Sequence, residues 1–223
     1  MTTHQPTPII INPTARQSAV ILLHGLTASG QAFVPIAHYL QQYLPDTRFV
    51  LPTTPVRAVA WAGRQRVTAW YDLNGDNFTR NEDADGILQS AAYVQGLVDE
   101  LIQRGIAPHT IAIGGFSQGG AISLLGGLLY PQRLAGLFSL SSYLPLPAVW
   151  QDKQADSNRN TPIFIAHGDN DQPIPFAHSQ AGYHLLSQNH ELDLHRYSMG
   201  HEVVTQELDD LGAWLAGKCF QAV

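Results

Sequence analysis

Short unbroken apolar runs, each followed by a stretch of helical periodicity, recur along this chain and leave few architectures open. Ser18–Leu23 (SAVILL) shows no polar alternation, which is the pattern of a strand buried on both faces. Arg48–Leu51 (RFVL), Thr110–Gly115 (TIAIGG) and Pro162–Gly168 (PIFIAHG) share that character, and LAGLFSLSS and LDLHRYS are weaker candidates. Between them Ile87, Ala91, Val94, Val98, Leu101 and Ile102 form one helical stripe, with Asp83 and Asp85 ahead of it and Gly105 behind. A second stripe, Val204, Leu208, Leu211 and Leu215, is expected to close at Gly217 as the last helix. Alternating strands and helices require right-handed crossovers, so the fold class is α/β, with a mostly parallel sheet covered on both faces. At 223 residues the chain is expected to form one domain, 1–223. Pro52–Asp85 and Ser142–Thr161 read as loops with little regular structure, placed where strand ends shape a cleft.

Charge and composition narrow the function. Twelve basic against eighteen acidic residues give a net charge of -6 with no Lys/Arg block, which argues against a nucleic-acid partner. The opening residues lack a basic and then long apolar leader, and no apolar run reaches membrane-spanning length. A cytoplasmic protein with no stable membrane insertion is therefore expected. Its one cysteine, Cys219, excludes an internal disulfide framework and is read as a packing residue.

Where the run Ile111–Gly114 ends, the chain reads Gly115-Phe116-Ser117-Gln118-Gly119, and a helix-like run begins at about Gln118. The string G-x-S-x-G alone is modest evidence, because Gly and Ser also form ordinary turns. Its position raises it: Ser117 would sit on a sharp strand-to-helix turn that needs side-chain-free neighbours and lifts its hydroxyl out of the sheet. Such a hydroxyl is a weak nucleophile unless a base, oriented by a third group, activates it. Downstream, HGDNDQPIP follows an apolar strand and offers Asp169 and Asp171. Asp171 is favoured because the loop must travel past the strand end to reach a histidine, leaving Asp169 to support the turn through backbone hydrogen bonds. Among ten histidines, His38, His178 and His184 lie in helix-like segments, His4 in a tail, and His190 and His195 beside a strand candidate. None has metal-ligand spacing, so no metal is expected. His201, in YSMGHEVV, lies in the turn before the last helix and is the candidate base. Acyl transfer also needs two amide donors, for which Gln118 and Leu26 are the candidates. His24 and His167 are read as braces at strand ends.

Taken in order, ILLHGLTASG, LPTTPVR, AWYDL, GGFSQGGAISL, LSSYLP, HGDNDQPIP and GHEV resemble the carboxylesterase and acyl-protein thioesterase branch of the α/β-hydrolases, sometimes grouped as phospholipase/carboxylesterases. That resemblance implies a serine esterase with Ser117 as nucleophile, Asp171 as orienting acid, His201 as base, and Leu26 and Gln118 as the oxyanion hole. It implies no cofactor, no inserted cap domain, and a substrate-binding set of Trp70, Tyr71, Phe116 and Tyr143, with Trp70 and Tyr71 equally readable as satellite core. The expected activity is hydrolysis of short- to medium-chain carboxylic esters, with acyl-protein thioesterase or lysophospholipase as the alternative and a catalytically silent ligand-binding homologue behind both. The expected partner is a small ester or thioester, and a homodimer is suggested by the resemblance alone. HGLTASG, where many members show an HGLGD-type string, and the Pro-rich YLPLPAVW bear on acyl and leaving-group preference.

Overall fold

The computed structural model describes residues 6–74, 78, 80–154 and 156–220. Four apolar runs become the sheet's spine: β2 (Ser18–Leu23), β3 (Thr47–Leu51), β6 (Ile111–Phe116) and β8 (Ile163–Gly168). The weaker candidates also form strands, β7 (Gly136–Leu140) and β9 (Leu192–Tyr197). An edge strand, β1 (Ile9–Ile11), completes a seven-stranded sheet of order β1-β3-β2-β6-β7-β8-β9. All neighbours run parallel except β1, which pairs antiparallel with β3.

Helices cover both faces, as a buried parallel sheet demands. α1 (Val34–Leu40) and α6 (Thr205–Trp214) lie on one side, and α2 (Ala84–Gln103) and α3 (Gln118–Leu128) on the other. α4 (Pro147–Lys153) and α5 (Phe176–Ser187) belong with the second group, through Trp150, Tyr183 and Leu186. The pleat of β2 sorts the layers: Ala19, Ile21 and Leu23 join one core, Val20 and Leu22 the other. α3 is buried at every position because it is clamped between the sheet and α2, which explains its lack of a polar face.

Asp83 caps α2 by accepting the Gly86 N–H, while Asp85 falls inside the first turn. The last helix does not close at Gly217: α6 ends at Trp214 and the chain continues as a π-turn, Leu215–Cys219. Nor are the two long segments without structure. Residues 52–85 contain a two-stranded hairpin, β4 (Val56–Val59) and β5 (Gln65–Thr68), and residues 142–161 contain α4. His195 lies within β9, and His4 is outside the described residues.

β3 and β6 flank β2 on opposite sides, so the chain leaves β2 in one direction and β6 in the other. At such a switch point the loops beyond the carboxyl ends of the two strands part and leave a crevice.

Candidate active site

Ser117 stands in that crevice. It caps α3 at φ 55, ψ -123, a positive φ that costs a non-glycine residue on the order of 1 to 3 kcal/mol. The turn is tight because strand and helix nearly touch. A Cβ on Gly115 would lie 2.6 Å from the Leu23 carbonyl oxygen, and one on Gly119 would lie 2.6 Å from that of His24. The elbow is fixed from β7: the Ser117 N–H donates to the Leu140 carbonyl at 2.9 Å, and the Ser142 hydroxyl donates to the Ser117 carbonyl at 2.6 Å.

Ser117, His201 and Asp171, 84 and 30 residues apart in sequence, meet at this point. His201 Nε2 is 2.9 Å from Ser117 Oγ, and its Nδ1 is 2.8 Å from Asp171 Oδ2. A carboxylate only accepts, so Nδ1 carries the proton and Nε2 is left to receive one from the serine. The His201 ring rests on Phe116, centroids 4.7 Å apart. Asp171 is buried, and its other oxygen, Oδ1, accepts the Ile174 N–H at 2.8 Å. The carboxylate thus shapes its own loop with one oxygen and addresses the imidazole with the other. Asp169 does not hold the turn through its side chain; it pairs with Arg196 at 2.5 Å on the surface.

Leu26 and Gln118 both line the crevice, and among the described residues neither backbone N–H has a protein acceptor. Two uncommitted amides beside a serine oxygen form a potential receptor for negative charge. The Gln118 side chain fixes the opposite wall: its Oε1 accepts the Trp70 N–H and its Nε2 donates to the Tyr71 carbonyl, both at 2.9 Å. The Leu26 loop is braced by His24, whose Nδ1 is 2.6 Å from the Gly25 carbonyl and whose Nε2 accepts the Thr54 N–H at 3.2 Å. Burial pushes the His24 pKa down, and the two bonds fit only the neutral Nδ1–H form. His167 is similarly buried, its pKa lowered chiefly by desolvation, with Nε2 donating to the Ile174 carbonyl at 2.7 Å and 3.6 Å from Asp171 Oδ2.

The crevice opens into a cleft of about 500 Å³. Tyr71, Phe116 and Tyr143 line it, together with side chains that the sequence did not single out: Phe33, Ile36, Trp61, Leu73, Phe78 and Val203. Trp70 does not. Its ring is fully buried behind the wall and its indole N–H donates to the His24 carbonyl at 2.8 Å, so it braces the Leu26 loop. Ser142 was also missed, because a serine run at a strand end carries no periodic signal. Cys219 is partly buried, and desolvation raises its thiol pKa far above the ordinary range.

The sheet order, crossovers and strand–serine–helix elbow define an α/β-hydrolase fold. The chain belongs to the phospholipase/carboxylesterase family, whose model matches residues 5–218. It is 34% identical to acyl-protein thioesterase 1 of Gibberella zeae, over 92% of this chain and 93% of that protein, and 34% identical to acyl-protein thioesterase 1 of Saccharomyces cerevisiae, over 90% and 92%. The crystal structure of acyl-protein thioesterase 2 from Zea mays superposes with a TM-score of 0.83 at 25% identity, covering 95% of this chain and 98% of that one. Membership makes the chain a serine hydrolase acting on ester bonds.

Proposed function

We propose that the chain is an acyl thioesterase that also cleaves carboxylic esters, with Ser117 as nucleophile, His201 as general base and Asp171 as the group that orients it. What carries this reading is the continuous hydrogen-bonded relay from Ser117 Oγ through the His201 ring to Asp171. Of the activities expected from the sequence, thioester cleavage moves ahead of short-chain carboxylester cleavage, because the curated relatives bear the name acyl-protein thioesterase. The largely apolar cleft suits an acyl chain.

In the proposed cycle His201 Nε2 takes the Ser117 proton as Oγ attacks the acyl carbonyl. The Leu26 and Gln118 amides receive the charge that develops on the carbonyl oxygen, each contributing on the order of 3 kcal/mol to the transition state. Collapse expels the thiol or alcohol, protonated by His201, and water repeats the sequence on the acyl-enzyme. None of these steps calls for a cofactor.

The test compares kcat/KM for an S-acyl peptide, palmitoyl-CoA, a lysophospholipid and p-nitrophenyl esters of increasing chain length, each with a Ser117→Ala control. Thioesters are expected to lead, and Ser117→Ala to lose at least roughly 10⁴-fold in kcat. A folded Ser117→Ala protein that turns over at the parent rate would overturn the assignment. A preference for oxygen esters throughout would return the carboxylesterase reading.

A further inference from the structure

Among the described residues, two phenols in the cleft wall hold one proton more than their surroundings accept. The hydroxyls of Tyr71 and Tyr143 lie 2.7 Å apart and hydrogen-bond to each other. Both residues are almost completely buried, at 1% and 2% exposure. Desolvation raises both phenol pKa values, and the nearby Glu82 carboxylate further disfavours phenolate at each, so both oxygens keep their protons. Among the described residues Glu82 takes up neither proton: its hydrogen bonds are to the Leu146 N–H, at 3.1 and 3.2 Å. Two hydroxyls carry two protons, and the bond between them uses one. Among the described residues no protein group accepts the other.

Both residues line the cleft that holds Ser117, beside the apolar Leu73, Phe78 and Ile174. Both residues lie beside the elbow along the chain or across a hydrogen bond. The Tyr71 carbonyl is bonded to the Gln118 side chain, and Tyr143 follows Ser142, whose hydroxyl is bonded to the Ser117 carbonyl. Tyr143 is further stacked on Phe78, with ring centroids 6.5 Å apart and planes 18° apart. The spare donor thus belongs to residues that sit next to the elbow's own hydrogen bonds.

We propose that the Tyr71–Tyr143 hydroxyl pair is a specificity element that donates a hydrogen bond to an oxygen of the substrate, an ether, hydroxyl or carbonyl placed a few bonds from the scissile carbonyl. The proposal rests on Ser117 being the nucleophile and deepens that reading. A wholly hydrocarbon substrate leaves this donor without an acceptor in a site it has dried, whereas an oxygen in place of one methylene satisfies it. Sites built around a buried donor discriminate in this way.

Matched substrates that differ by one methylene-to-oxygen exchange test it. On the alcohol side the pair is n-butyl and methoxyethyl butyrate; on the acyl side it is p-nitrophenyl pentanoate and p-nitrophenyl methoxypropanoate. The readout is the oxygen-to-carbon ratio of kcat/KM, which cancels the intrinsic reactivity of each ester when proteins are compared. In the double Tyr71→Phe/Tyr143→Phe variant the ratio is expected to fall by about tenfold in one arm. The single variants then show which phenol points at the substrate. Equilibrium binding of the same pairs to Ser117→Ala gives a readout independent of turnover and of the tyrosine variants' folding. There the oxygen member of one pair is expected to bind about tenfold more tightly. Unchanged ratios in both arms of a folded double variant, or equal affinities within both pairs, would overturn the proposal. Loss of Ser117 dependence would instead strike the proposed function and leave the binding comparison standing.

Discussion

Asp171 divides its two oxygens between two donors, the Ile174 N–H and the His201 ring. An asparagine has only one acceptor atom, so it cannot serve both. With its oxygen toward Ile174 the amide nitrogen meets the imidazole Nδ1–H and forces the wrong tautomer; with its oxygen toward His201 the turn loses its hydrogen bond. Asp171→Asn is therefore expected to lower kcat by roughly 10³ to 10⁴-fold. The loss in stability should be about 1 kcal/mol. Single-turnover kinetics and thermal melting measure the two effects separately. The same residue shows how much of the site the sequence could disclose. Asp171 and Asp169 were separable by counting residues past the strand end, since only the more distant carboxylate could reach back to His201. Trp70 was not separable from Tyr71, because adjacent loop residues point to opposite sides and nothing in AWYDL says which side faces the cleft.

Among the elements, those with a strong periodic signal were readable and those without one were not. The inner strands are continuous apolar runs because helices cover both of their faces, and α2 carries a clean stripe because one of its faces stays wet. β1 spans three residues at the sheet edge, and the β4–β5 hairpin has four-residue strands outside the main sheet, with β4 buried at only one position. Such elements bury too little to leave a pattern. α6 contributes a testable property of its own. Glu207 occupies its first turn, buried, and among the described residues both carboxylate oxygens lack a side-chain hydrogen-bond partner; desolvation pushes its pKa up to about 8. Between the ordinary carboxylate range and that value the folded chain keeps a proton that the unfolded chain has released. Stability therefore falls as pH rises through this window and the contribution is gone above it. Melting temperatures of the parent and Glu207→Gln across pH 5 to 9 should show this slope in the parent and a flatter one in the variant. Parallel slopes would place the titration elsewhere.

At the scale of the molecule, β2, β6, β7 and β8 belong to both cores at once, since alternate side chains of each strand feed opposite layers. Neither layer can melt without exposing strands that the other still needs. The described residues should behave as a single cooperative unit. Calorimetry is expected to give one transition with equal calorimetric and van't Hoff enthalpies, and two resolved transitions would divide the chain. This rigidity is what holds Ser117 at its unfavourable φ, a local cost of on the order of 1 to 3 kcal/mol set against a total stability of roughly 5 to 15. Glycine takes up that conformation freely, so Ser117→Gly should melt a few degrees above the parent while losing turnover. The hardiest form of this protein and the working form are thus different sequences, and unselected drift at position 117 would be drawn toward a durable but inert chain.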